Sequence, residues 1–245
     1  MCARFTLHTS NAVVARALGA VAPPGLPARY NIAPTEAITV ALVADGARRL
    51  AVARWGLVPP WLRDPKKQAP LINARADGIA TKPAFRKAFE ARRCVVPADG
   101  FFEWRKEGKA RHPFLFTGDG PLWLAGLWER SWEPAARPTP PPSGWGEAAA
   151  PTEPPFLSAT ILTTEANAVV APLHDRMPVI LPDLDAVAAW LDPATPTEAL
   201  LAVCVPLVSD RLRRVAVSDR VNKVGVDEAR MIEPREEGGW LTNPS

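Results

Sequence analysis

A chain of 245 residues with 47% hydrophobic content is long enough to bury a full core within one domain. Its net charge of +3 hides an asymmetry: residues 1–130 carry 20 Lys and Arg against 10 Asp and Glu (+10), and residues 131–245 carry the remaining 9 against 16 (−7). That balance fits a basic surface for a polyanion and equally a solvated charged face. The three cysteines, Cys2, Cys94 and Cys204, are too few and too widely spaced for a disulfide framework, and with His8, His112 and His174 they offer no metal-ligand spacing. The opening residues lack the apolar core of a signal peptide, and no apolar run approaches the roughly 18 residues of a membrane span, so the chain reads as cytoplasmic.

Short β-like runs dominate. In chain order they are Arg4–His8, Ile38–Val43, Leu50–Trp55, Cys94–Val96, Gly100–Arg105, Pro113–Phe116, Leu122–Leu127, Ala159–Leu162, Met177–Leu181 and Arg213–Val217. Helices are expected at Asn11–Leu18, at Pro83–Ala91 behind a Thr81 cap, after Thr163 or Thr164, and at Leu184–Trp190 and Thr197–Val203. Strands outnumber helices without βαβ alternation, which predicts an α+β fold: a single domain on a curved, barrel-like, mostly antiparallel β-sheet with peripheral helices. The stretch 131–155, dense in Pro, Ala and Gly, reads as an irregular insertion within that domain. The domain is expected to span 1–232, with 233–245 as a tail.

Four places in the sequence could carry chemistry. Removal of Met1, usual where the second residue is small, would leave Cys2 with a primary amine and a thiol on one residue. The α-amine has an ordinary pKa near 8, so part of it is neutral at physiological pH. It can attack an aldehyde to give a Schiff base, which the thiol closes to a five-membered thiazolidine. In a frayed terminus the same residue would do nothing. In the run from Pro97 to Trp104, Gly100 suits the entry to a strand, and alternation puts Phe101 and Glu103 on one face. A carboxylate among aromatics is desolvated and suited to proton transfer; on an amphipathic edge it is merely a surface glutamate. If Asn73–Asp77 is extended, Asn73, Arg75 and Asp77 share one face, and the amide and guanidinium side by side suit an oxyanion or a phosphate, unless Arg75 is only an ion-pair partner. His174 can shuttle protons, with Arg176 on the same face if extended; the alternative is a structural histidine.

Read together, these segments resemble the SRAP family, the abasic-site processing proteins once described as SOS-response-associated peptidases. The likeness runs through MCARF at the start, RYNIAP at Arg29–Pro34, RWGLVPPW at Arg54–Trp61, NARAD at Asn73–Asp77 and RRCVVPADGFFEW at Arg92–Trp104. It continues through LAGLWE at Leu124–Glu129, TTEAN at Thr163–Asn167, HDRMPVIL at His174–Leu181 and VSDRVN at Val217–Asn222. The family usually has Gly after the cysteine, where this chain has Ala3, and alanine does not easily take positive φ.

The resemblance implies a covalent thiazolidine crosslink between Cys2 and the aldehyde of an abasic site in single-stranded DNA, shielding the lesion during the DNA damage response. No metal or cofactor is implied, and the protein is expected to act as a monomer. In that reading Asn73 holds the aminothiol or polarises the sugar oxygen. Glu103 relays protons, also during self-processing of Met1, and His174 assists ring opening and adduct reversal. Arg4, Arg75 and Arg176 contact phosphate, with Thr163 or Thr164 as weaker partners. Trp61 and Pro34 stack on or wedge between bases. Two other functions compete: a peptidase or amidohydrolase using Cys2, His174 and Glu103, and a non-covalent reader of modified bases to which Cys2 is dispensable.

Overall fold

The computed structural model describes residues 2–22, 25–62, 64, 67–146, 148 and 150–235. The chain enters through β1 (Phe5–Leu7) and α1 (Asn11–Leu18), whose first turn is capped by the Ser10 side chain accepting from the Val13 N–H. β2 (Arg29–Ile32) follows, then β3 (Ala37–Ala44) and β4 (Ala47–Trp55), a hairpin in register from Ala37↔Arg54 to Ala44↔Ala47. Its two-residue turn is Asp45-Gly46, both at positive φ (52° and 73°), the backbone twist that suits paired antiparallel strands. Next come β5 (Asn73–Arg75), α2 (Arg86–Ala91), β6 (Arg93–Ala98), β7 (Gly100–Glu107), β8 (Ala110–Thr117) and β9 (Leu122–Ser131). After the insertion the chain forms β10 (Phe156–Glu165), β11 (Arg176–Pro178), β12 (Ile180–Leu181), α3 (Leu184–Leu191), α4 (Thr197–Ala202) and β13 (Arg213–Ala216).

Five strands close a barrel in the order β10-β4-β3-β6-β9 and back to β10. All these pairings are antiparallel except β4 with β10. Closure leaves no edge within the ring. β10 outruns its barrel partners, so its last residues find new ones: β5 on one edge, from Ile161↔Asn73 to Thr163↔Arg75, and β11 on the other. A second sheet, ordered β13-β8-β7-β1-β2, lies against the barrel. Phe5, Phe101 and Phe116 turn their rings into the common core, where Phe5 meets Trp55 edge-on at 5.0 Å and Phe101 stacks on Phe116 at 4.9 Å. The opposite face, with Phe102 and Leu115, is covered by Val217, Val221 and Met231 of the C-terminal segment. The α+β architecture on a barrel-like sheet is the one the sequence predicts.

Several local expectations differ. No helix follows Thr163 or Thr164. β10 continues to Glu165, because both edges of this β-branched run are paired, and hydrogen-bonded turns carry the chain from Asn167 to His174. α2 begins at Arg86 rather than Pro83, and Thr81 donates to the Gly78 carbonyl instead of capping it. The run Met177–Leu181 divides at Val179, where the chain passes from β10 to β9 and bonds both, through Leu162 and Ala125. β2, unforeseen among its prolines, is held by the C-terminal segment: Arg29 bonds Asp227 and Glu36, and Asn31 donates to the Lys223 and Val226 carbonyls. The insertion at 131–155 is irregular but fastened. Thr139 exchanges backbone bonds with Thr35 and Ala37, and Ala136 is buried with Val58 and Phe156. Of the tail expected at 233–245, residues 236–245 lie outside the described residues, and Pro234 bridges Val217. No helix among the described residues is long and apolar enough to cross a membrane.

Candidate functional site

Cys2 sits just ahead of β1, between the barrel and the second sheet, and is fully buried. Its carbonyl accepts a 2.8 Å hydrogen bond from the Asn73 side-chain N–H, and its thiol makes a long contact of 3.7 Å to the Arg4 carbonyl. Burial pushes the thiol up to about 12, assisted by the Glu103 charge and opposed by that of the amino terminus. Neither Ala3 nor Cys2 takes positive φ; among the described non-glycine residues only Thr35 and Asp45 do, so alanine in place of glycine costs no strain here.

Asn73 opens β5, whose position on the edge of β10 brings it to Cys2. Its other polar atom, Oδ1, is buried with no hydrogen-bond partner among the described residues. A buried acceptor left open is costly, and it is what a donor on an incoming substrate or intermediate would satisfy.

Glu103 lies on β7, on the face that looks at the barrel, and is 4% exposed. Desolvation raises its carboxyl to about 7; the positive amino terminus opposes the rise and Asp175 adds to it. A carboxyl with that pKa exchanges protons in either direction near neutrality. Gly100, which opens β7, is required by close packing: a Cβ there would lie 2.6 Å from the Phe116 carbonyl oxygen. That tight entry sets the phase that turns Phe101 and Glu103 inward.

His174 closes the turns after β10 and is half-buried. Its Nδ1 lies 2.9 Å from the Arg176 backbone nitrogen and 2.8 Å from Asp175 Oδ1. Burial lowers its pKa, as does the charge of the amino terminus, while Asp175 works against both. At neutral pH the ring is therefore mainly neutral. Cys2, Glu103 and His174, from three distant segments, thus act on one another or on the amino terminus electrostatically, and Asn73 touches Cys2 directly. The fold brings all four together.

The residues expected to touch DNA divide into two groups. Trp61 is 60% exposed, Arg75 is exposed on β5, and Pro34 is half-buried in a turn. Arg4, Thr163, Thr164 and Arg176 are buried. Strand alternation sends Arg4 to the face opposite Phe5, where Nη1 bonds Asn31 Oδ1 (2.6 Å) and the Val221 carbonyl (2.8 Å). Arg176 bonds Asp77 at 2.9 Å and the Thr163 carbonyl at 2.6 Å, tying β11 to β10 and the end of β5. Thr163 and Thr164 lie between neighbouring strands. Arg176, Thr163 and Thr164 are built into the strands β10 and β11, and Arg4 into the contact with the C-terminal segment. The sequence reading places Asp77 beside Asn73 and Arg75 but not with Arg176, which it pairs with, and it misses Asp175, which lies against His174. Both lie inside quoted motifs, and adjacency was their only signal. It also missed Asp227, which nothing local marks.

Comparisons with known proteins place the chain in a family. A family model described as SOS response associated peptidase (SRAP) matches residues 1–224. The chain is 34% identical over 241 residues to the "Abasic site processing protein YoaM" of Bacillus subtilis (strain 168), covering 95% of this chain and 98% of that one. It is likewise 34% identical over 241 residues to "Abasic site processing protein YoqW" of the same organism, covering 95% and 99%. A crystal structure of a protein from Bacteroides thetaiotaomicron shares the fold, with a TM-score of 0.79 at 22% identity, over 96% of this chain and 100% of that one. With the model matching nearly the whole chain and the quoted motifs gathered around Cys2, the protein belongs to the SOS response associated peptidase (SRAP) family.

Proposed function

We propose that this protein processes abasic sites by binding them in single-stranded DNA, as a monomer, and joining Cys2 to the lesion as a thiazolidine. Removal of Met1, by self-processing or by an aminopeptidase, moves the amino terminus onto Cys2. The amine adds to the aldehyde of the ring-opened sugar to give a carbinolamine, and loss of water gives the imine. The thiol then adds to the imine carbon, its proton passing to nitrogen, and closes the ring. Glu103 carries the protons of addition and dehydration. His174 works on the sugar ring oxygen during opening and on the adduct during reversal. Asn73 holds the Cys2 carbonyl and offers Oδ1 to the ammonium or the carbinolamine hydroxyl.

The observation that carries this reading is the pairing of a buried Cys2, fixed by Asn73, with a buried Glu103 whose carboxyl titrates at about 7. It also speaks against a peptidase. Acyl transfer needs the thiolate as first nucleophile, and a thiol pushed up to about 12 supplies little of it. In the aldehyde chemistry the neutral amine attacks first, and protonation of the imine to an iminium then places positive charge and an electrophilic carbon beside the thiol. Trp61 and Pro34 are proposed as base contacts and Arg75 as a phosphate contact; Arg4, Arg176, Thr163 and Thr164 support them from within. The test is to incubate the mature protein with an abasic oligonucleotide and seek an adduct that survives denaturation, with the mass of protein plus oligonucleotide less one water. No such species, or repeated turnover of a peptide without DNA, rejects the proposal.

A further inference from the structure

Beside Glu103, on the same face of its sheet, lies a cationic feature that the chemistry above does not use. Phe114 of β8 pairs directly across from Glu103, so the two side chains are neighbours on the barrel-facing surface. Two guanidiniums approach the one Phe114 ring: Arg105 from β7, with Cζ 5.7 Å from the centroid, and Arg214 from β13, at 5.5 Å. Arg214 also donates from Nη1 to the Val169 carbonyl at 3.4 Å, in the turns that end on His174. The feature therefore spans from the strand of Glu103 to the segment of His174.

No carboxylate among the described residues pairs with Arg214, which is exposed, whereas its neighbour Arg213, turned to the other face, pairs with Asp119. Lys106 is close enough for its charge to bear on His174. Phe114 thus lies between two guanidiniums that reach its ring from the strands on either side of β8.

We propose that Arg105 and Arg214, held on Phe114, form a subsite for the backbone phosphate that flanks the abasic sugar on one side. This rests on the proposed DNA reading and deepens it: the lesion lies between Glu103 and His174, and the strand leaves over Phe114. Arg105 and Arg214 bind the phosphate, and Phe114 is a positioning residue. Arg75, on the edge of β5, serves the phosphates of the other flank.

Equilibrium binding to a tetrahydrofuran abasic analogue tests this without any crosslink, since the analogue has no aldehyde. Two single-stranded oligonucleotides are used, one extending only 5′ of the lesion and one only 3′. Arg105→Gln and Arg214→Gln should each weaken binding to one of them and lower its log–log salt slope by about 0.7, the share of one phosphate on a single strand. The other oligonucleotide should bind as before. Phe114→Leu, which keeps an apolar residue but removes the ring, should reproduce the loss on the same flank, and Arg213→Gln should change neither. Equal losses on both flanks would mark a diffuse field, and no loss on either would mark a structural pair; each overturns the subsite. The adduct assay on natural abasic DNA is scored separately, so that failure there rejects the crosslinking reading whatever the analogue shows.

Discussion

The two faces of the sheet β13-β8-β7-β1-β2 are made from alternate residues of the same strands, yet they do different things. The barrel-facing side carries Phe5, Glu103, Phe114 and Arg214, with Cys2 just ahead of it. The outer side carries Arg4, Phe102 and Trp104 and is sealed by the C-terminal segment through Val221, Asn222 and Met231. Arg4 is two residues from the nucleophile and still belongs to the seal. One step along a strand separates a residue proposed to meet substrate from one that holds the sheet, and no property of the residue type reveals which it is.

The sharpest test of this division is at the nucleophile. A protein that retains Met1, or one with Cys2→Ala, should yield no stable thiazolidine. Cys2→Ala keeps a reducible Schiff base through its remaining amine, as borohydride trapping and intact mass would show. Full adduct yield from the Met1-retaining protein removes the amine from the mechanism.

Next in size is Glu103→Gln, expected to slow adduct formation about 10²–10⁴-fold in single-turnover measurements, the usual range for general acid–base catalysis. An open-chain aldehyde should not restore the rate, whereas it should restore that of His174→Ala. Rescue of both variants alike would erase the assigned difference between the two residues.

Across the sheet the effect should turn into one of stability. Arg4→Ala leaves Asn31 Oδ1 and the Val221 carbonyl without their donor, a loss of about 2–4 kcal/mol from two unsatisfied buried acceptors. Denaturant unfolding should report it, with an unchanged salt slope for DNA binding. Arg75→Ala should do the reverse: stability within about 0.5 kcal/mol of wild type and a salt slope lower by about 0.7. If Arg4→Ala changed only the salt slope, the burial assigned to it would be wrong.

The smallest effect separates the faces by pH. Glu103 titrates at about 7 when folded and near 4.5 when not. The folded state therefore holds a proton that the unfolded state has released, and the associated stability is present below about 4.5 and lost as pH rises through about 7. The loss amounts to at most about 3 kcal/mol. Glu103→Gln should flatten this part of the stability–pH curve and be the more stable protein at pH 8. A parallel decline in both proteins would assign the slope to other groups.

How much of this was legible beforehand follows from what is local. α1 appears at its predicted residues because its cap and apolar spacing are contained within ten positions, whereas β3 and β4 run past the predicted Ile38–Val43 and Leu50–Trp55 to meet at Asp45-Gly46, a turn left unread in the sequence. Cys2, Asn73, Glu103 and His174 could be singled out by residue type and motif. That they share one site, and that Glu103 loses enough water to titrate near neutrality, came from barrel closure, from β10 outrunning its partners to receive β5 and β11, and from the sheet packed over them. The fates of Arg4 and Arg176, and of Asp227 some 200 residues from the strand it secures, were likewise decided in three dimensions. Side-chain chemistry and short-range backbone preference are written residue by residue, whereas burial, strand phase and the choice between phosphate and an internal carbonyl depend on neighbours that only folding supplies.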